Sequence, residues 1–201
     1  MFDARIRPWI DPPLNVLGRW LAGYRVNANA ISVFGLAAGL LAAGVIARQH
    51  FTAGFILIVV SRLLDGLDGA VARATAPTDR GGYLDIVSDF AVYAAVPLGF
   101  AFADPPHNAL PAATLIATFT LTCASFLAFA TIAAKRRLET TASGRKSFFY
   151  SFGLMEGTET IGFLLAMAAF PHAFATLAWV FAVLCLGTVL QRSLGAFATF
   201  R

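Results

Sequence analysis

An all-α, polytopic membrane protein is the fold class this sequence predicts, with six transmembrane helices and an amphipathic helix at the N-terminus. Three observations predict it. Of the 201 residues, 58% are hydrophobic and only 13% are charged, about half the charged share of an ordinary soluble domain. The apolar residues gather in six stretches, 29–47, 52–73, 83–103, 109–133, 154–171 and 173–194, near the roughly 20 residues a helix needs to cross a bilayer. With six helices, nearly every Lys and Arg falls on one side.

The first segment, 1–25, is read as cytoplasmic and interfacial. Its opening, MFDARIRPWIDPP, is polar and broken by proline where a cleavable signal would be apolar. Asp11 caps a short helix opened by Pro12 and Pro13, and Leu14, Leu17 and Leu21 then recur at helical spacing beside Trp20. Residues 12–24 therefore form an amphipathic helix in the membrane interface.

The first spanning helix follows Asn29. The second carries Arg62, Asp65, Asp68 and Arg73 in its C-terminal half. A turn over 74–82, with Pro77, Gly81 and Gly82, leads to the third and makes the two antiparallel neighbours. Only Pro171-His172 separates the fifth from the sixth. Basic residues set orientation. Arg5, Arg7, Arg19, Arg25, Arg73, Arg80, Lys135, Arg136, Arg137, Arg145, Lys146, Arg192 and Arg201 lie on one side, and Arg48 alone on the other. By the positive-inside rule both termini are cytoplasmic. That placement also accounts for the net charge of +4 without a nucleic-acid partner. With no internal repeat or low-complexity linker, residues 1–201 read as a single membrane-embedded domain. Cys123 and Cys185 sit in apolar runs and read as buried free thiols.

The chemistry is concentrated in 61–90, SRLLDGLDGAVARATAPTDRGGYLDIVSDF. Asp65 and Asp68 share one helix face, and Asp85 and Asp89 share another. Four carboxylates then converge at the cytoplasmic ends of two helices. Ionisable groups at membrane depth are costly and mark functional sites. Four like charges need a cation among them, and oxygen-only ligands suit Mg2+ or Mn2+, two ions being shared by four carboxylates. Gly66 and Gly69 allow close approach, and Arg73 presents a planar fork to phosphate.

These residues resemble the signature of the CDP-alcohol phosphotransferases. Asp65, Asp68, Gly69, Ala72 and Arg73 match its first half, and Gly81, Asp85 and Asp89 match its second. The spacer between the halves, seven residues here, is one shorter than the family's, a deletion that a turn absorbs. Asn29 and Ser32 also resemble the family's entry to its first helix, with Ala28 where the family has proline. The run Gly153 to Thr160 and the short chain look like a small bacterial branch. The resemblance implies a bacterial inner-membrane enzyme of phospholipid biosynthesis with a cytoplasmic active site. It would transfer a phosphatidyl group from a CDP-linked lipid to an alcohol and release CMP. Asp65, Asp68, Asp85 and Asp89 would bind the metals, and Asp89 would also be the general base. Asp65, Gly69, Ala72, Arg73, Asn29 and Ser32 would line the CDP site, and a homodimer is implied.

Asn29 is equally a helix cap. Arg62 is read as neutralising Asp65, three residues on. Lys135, Arg136 and Arg145 are candidates for the acceptor's phosphate, although membrane topology alone explains their charge. Glu156 and Glu159 either touch the acceptor or pair with that basic loop. Two other functions compete: a cation or proton transporter using an intramembrane Asp cluster, and an inactive membrane scaffold. Carboxylates at one interface beside Arg73, without a repeat, disfavour the first. The complete four-Asp set disfavours the second.

Overall fold

The computed structural model describes residues 3–136 and 153–200. Within them the chain is helical and has no strand: α1 (Asp3–Gly23), α2 (Ala28–Ala47), α3 (Phe51–Ala74), α4 (Asp79–Ala103), α5 (Pro105–Lys135), α6 (Gly157–Ala169) and α7 (Phe174–Thr199), with a 3-10 turn at Pro171–Ala173. The six apolar stretches correspond to α2–α7. Four of these helices, α2, α4, α5 and α7 with its preceding turn, are long and apolar enough to cross a membrane. α3 carries the site's charges, and α6 is only 13 residues long.

α1 begins well before the expected Pro12 and runs through Pro8, Pro12 and Pro13. The carbonyls that lose a donor to Pro12 and Pro13 belong to Pro8 and Trp9, both exposed. Solvent or lipid headgroups can satisfy them there, so the helix continues. Trp9 and Trp20 are 84% and 58% exposed, in keeping with an interfacial face. Asn27, rather than Asn29, caps α2, accepting from the Asn29 amide at 2.9 Å.

α2 is the helix that α3 and α4 share. It packs along both α3 and α4, whose backbones approach each other far less. Those two helices meet through side chains, Arg62 with Asp89 and Tyr93, and not through closely packed backbones. The cause lies in the small residues of α2. A Cβ on Gly35 would lie 3.3 Å from Leu64 of α3, and one on Gly39 would press on both Val92 of α4 and Ser61 of α3. A Cβ on Gly99 would lie 2.5 Å from the Ala43 carbonyl oxygen. Without a hydrophobic drive between apolar helices in lipid, such backbone proximity is what holds them.

The far end of the bundle is closed by aromatic rings. Phe100 of α4 stacks on Phe174 at the start of α7 with centroids 4.4 Å apart, and on Phe51 at the start of α3. Nearby, Gln49 adopts a left-handed φ of 64° and donates to the Ala103 carbonyl at 2.9 Å, tying the α2–α3 turn to the end of α4. Overpacking a close helix contact costs about 1–3 kcal/mol. Gly99→Ala is expected to lower the thermal unfolding midpoint in detergent, whereas Gly44→Ala, which meets open space, should leave it unchanged or raise it.

Candidate active site

The separation of α3 from α4 leaves a cavity of about 610 Å³ between them. Asp65 lines it from α3, with Gly66, Gly69 and Arg73; Asp85, Asp89 and Tyr93 line it from α4. Ile10, Asp11 and Leu14 of α1 form one edge. Phe119, Thr122 and Phe126 of α5, Thr158 and Thr160 of α6, and Arg192 of α7 also line the cavity.

One carboxylate oxygen from each of Asp65, Asp68 and Asp85 lies within 4.8 Å of the others. Asp68 is buried, Asp65 half-buried and Asp85 exposed. The Ser32 side chain sits against Asp68 from α2, and its hydroxyl also donates to the Ala28 carbonyl at 3.2 Å. An all-oxygen trio this tight fits a divalent ion of the Mg2+ or Mn2+ type.

Asp89 lies outside that trio. Its Oδ1 accepts from Arg62 Nη1 at 2.5 Å, and its Oδ2 accepts from the Tyr93 hydroxyl at 3.4 Å. Arg62 is 3.7 Å from Asp65. The pairing expected from sequence is present, but the guanidinium is turned mainly to the carboxylate on the other helix.

Arg73 donates to the Asn15 side chain of α1 at 3.1 Å. Its guanidinium lies over Gly69, where a Cβ would stand 3.1 Å from Nη1. Leu14 of α1 covers Gly66 in the same way, and Gly18 seats the helix against the backbone of Ala70, 2.7 Å from where its Cβ would be.

The other expected positions divide. Ala72 does not line the cavity. Asn29 faces the start of α4, its Oδ1 3.2 Å from where a Gly81 Cβ would stand. Lys135 is exposed, and Arg136 donates to the Phe200 carbonyl at 2.8 Å and covers the Phe200 ring. Neither reaches the cavity. Arg136 is held at the end of α7 by its contacts with Phe200. Arg145 lies outside the described residues, as do Arg137 and Lys146. Glu159 accepts from the Glu156 amide at 3.3 Å in a capping box that opens α6, and Glu156 itself borders the cavity.

Arg192 and Tyr93 are the site residues that sequence reasoning passed over. Arg192 is 7% exposed, and its Nη1 donates to the Thr122 carbonyl and to Ser125 Oγ, both at 2.9 Å. A lone arginine late in an apolar helix was the available signal. Tyr93 stands one turn beyond Asp89, a spacing that places both on one face.

Comparison with known proteins bears on the family and the fold. A family model described as CDP-alcohol phosphatidyltransferase matches residues 25–191. The chain is 41% identical over 201 residues to the inner membrane protein YnjF of Escherichia coli, covering 100% of this chain and 98% of that protein. It is 34% identical over 99 residues to archaetidylinositol phosphate synthase of Pyrococcus horikoshii, 49% of this chain and 53% of the relative. Its fold is similar to that of Mycobacterium tuberculosis phosphatidylinositol phosphate synthase PgsA1, solved with CDP-DAG bound. The TM-score there is 0.64 at 22% identity, over 92% of this chain and 93% of the other. A second structure of that protein, in complex with manganese and citrate, gives the same TM-score and identity. The matched segment contains α2–α6 and most of α7, with all four aspartates, and the chain belongs to the CDP-alcohol phosphatidyltransferase family.

Proposed function

We propose that this protein is a metal-dependent inner-membrane transferase that moves the phosphatidyl group of a CDP-linked lipid to an alcohol. The observation that carries this reading is the convergence of Asp65, Asp85, Asp89, Gly69 and Arg73 on one cavity at one end of an apolar bundle. The fold neighbour was solved with CDP-DAG and, separately, with manganese, which supports the same donor and a divalent ion here.

Asp65, Asp68 and Asp85 would hold the metal. When bound, the metal neutralises the donor's pyrophosphate and the leaving phosphate of CMP. Arg73, steadied by Asn15, grips phosphate oxygens with its fork. Asp89 accepts the proton of the acceptor hydroxyl. The acceptor oxygen then bonds to the phosphorus that carries the lipid. The bond from that phosphorus to the bridging oxygen breaks, and CMP leaves with the electron pair. Arg192, buried and lining the cavity, supplies a fixed cation for an anionic group on the acceptor. A phosphorylated alcohol is the acceptor class that this favours.

The E. coli relative is named as an inner membrane protein, and we place this chain there with α2–α7 as six spans. Both termini and the cavity are on the cytoplasmic side, where the basic residues gather, and the assembly is a homodimer. Reporter fusions at the two termini should both read cytoplasm, and an external C-terminus would break the six-span count.

CMP release from CDP-diacylglycerol with a panel of alcohols tests the reaction. Asp65→Asn, Asp68→Asn and Asp85→Asn should each lower turnover about 100-fold or more, partly recovered by added Mn2+, as befits a metal worth several kcal/mol. Asp89→Asn should bind CDP-diacylglycerol normally while turnover falls about 10²–10⁴-fold. Full activity in a chelator would remove the metal from the reaction.

Arg192→Met should raise the KM for a phosphorylated acceptor about 10–100-fold, the loss of one charged hydrogen bond, with donor affinity unchanged. An unchanged acceptor KM would place the acceptor elsewhere in the cavity.

A further inference from the structure

We infer that Arg62 is a positioning residue of the transfer reaction, one that fixes the Asp89 carboxylate in the orientation from which it takes the acceptor's proton. This rests on the reading of Asp89 as the base.

Arg62 is 8% exposed on α3, and a buried guanidinium in an apolar bundle is costly unless it is paired. Its neighbour on the same helix face is Asp65, yet Nη1 reaches across the gap to Asp89 Oδ1, at 2.5 Å against 3.7 Å for Asp65. The guanidinium is itself held. Nη2 donates to the Ser61 hydroxyl at 3.1 Å, and that hydroxyl donates to the Gly35 carbonyl at 2.7 Å. Ser61 is fully buried. The Tyr93 ring lies 5.6 Å from the guanidinium carbon, and the Tyr93 hydroxyl donates to Asp89 Oδ2. A continuous series of contacts thus runs from the α2 backbone through α3 to the α4 carboxylate. Both oxygens of Asp89 are met by donors anchored in the protein, before any substrate enters.

Charge neutralisation alone would require only a cation, and lysine would serve. A fork that holds Ser61 on one arm and Asp89 on the other is a geometric device that an ammonium cannot copy. The two roles therefore separate in Arg62→Lys, which keeps the charge and most of the volume and loses the fork.

The test compares Arg62→Lys, Arg62→Ala and Tyr93→Phe in the full-length protein, each also combined with Asp89→Asn. Turnover is read by CMP release, and Mn2+ affinity by electron paramagnetic resonance titration with Mn2+ alone. Misplacing a catalytic group by about 1 Å costs up to about 100-fold. Arg62→Lys should lower kcat about 10-fold and Arg62→Ala about 100-fold, with added guanidinium restoring part of the latter. Tyr93→Phe should have a smaller effect of the same kind. The KM for CDP-diacylglycerol and the Mn2+ affinity should change far less than kcat, since Arg62 stands 2.5 Å from Asp89 but 3.7 Å from Asp65 of the metal trio. In the Asp89→Asn background the Arg62 substitutions should add no further loss, because both act through one carboxylate.

Wild-type turnover in Arg62→Lys overturns the inference in favour of charge alone. So does an additive loss in the Asp89→Asn background, or a Mn2+ affinity that falls in step with kcat. Full turnover in Asp89→Asn alone would instead sink the assignment of the base, and the role of Arg62 with it. Should Arg62→Ala fail to fold, Arg62→Lys and Tyr93→Phe decide the matter.

Discussion

The close approach that Gly35, Gly39 and Ala43 permit along α2 is the constraint from which the site follows. Each of these positions seats a neighbour: Leu64 and Ser61 from α3, Val92 and Gly99 from α4. Because α2 holds both partners so tightly, α3 and α4 are kept antiparallel and yet apart. Their facing side chains enclose a cavity instead of a packed seam. Larger residues on α2 would push the two helices outward and change the distance between the carboxylate pairs. The separation of Asp65 and Asp68 from Asp85 and Asp89 is thus set by residues that carry no charge.

Electrostatics then divides the four acidic groups. Three of them, Asp65, Asp68 and Asp85, bring oxygens close enough to share an ion. The fourth, Asp89, is met by the guanidinium of Arg62 and the hydroxyl of Tyr93. The opposite end of the bundle carries stacked Phe51, Phe100 and Phe174. The bundle therefore has one end that is packed by rings and another where the carboxylates line a cavity.

α1 packs against the end that carries the cavity. Gly18 lets it lie on Ala70, Leu14 covers Gly66, and Asn15 holds Arg73. A helix that the sequence suggests is only an interfacial anchor also forms an edge of the cavity. Its Trp9 and Trp20 are exposed.

Much of this was legible in the amino-acid order. The lengths of the apolar runs gave the helices, because a bilayer leaves backbone groups no other way to be satisfied. The spacings of Asp65 with Asp68 and of Asp85 with Asp89 gave two shared faces, because helical periodicity is local. The eight-residue signature gave the family. What no local rule contains is which helix lies between which others. Tertiary structure decided that α2 packs against both α3 and α4, and that the Arg62 side chain reaches Asp89. It also decided that Arg136 bonds to the end of α7 while Arg192, far along the chain, turns into the cavity. Periodicity fixes the face on which a side chain stands, but its partner is fixed by the packing of helices distant in sequence. In this chain the glycines of α2 determine that packing, and the charges do not.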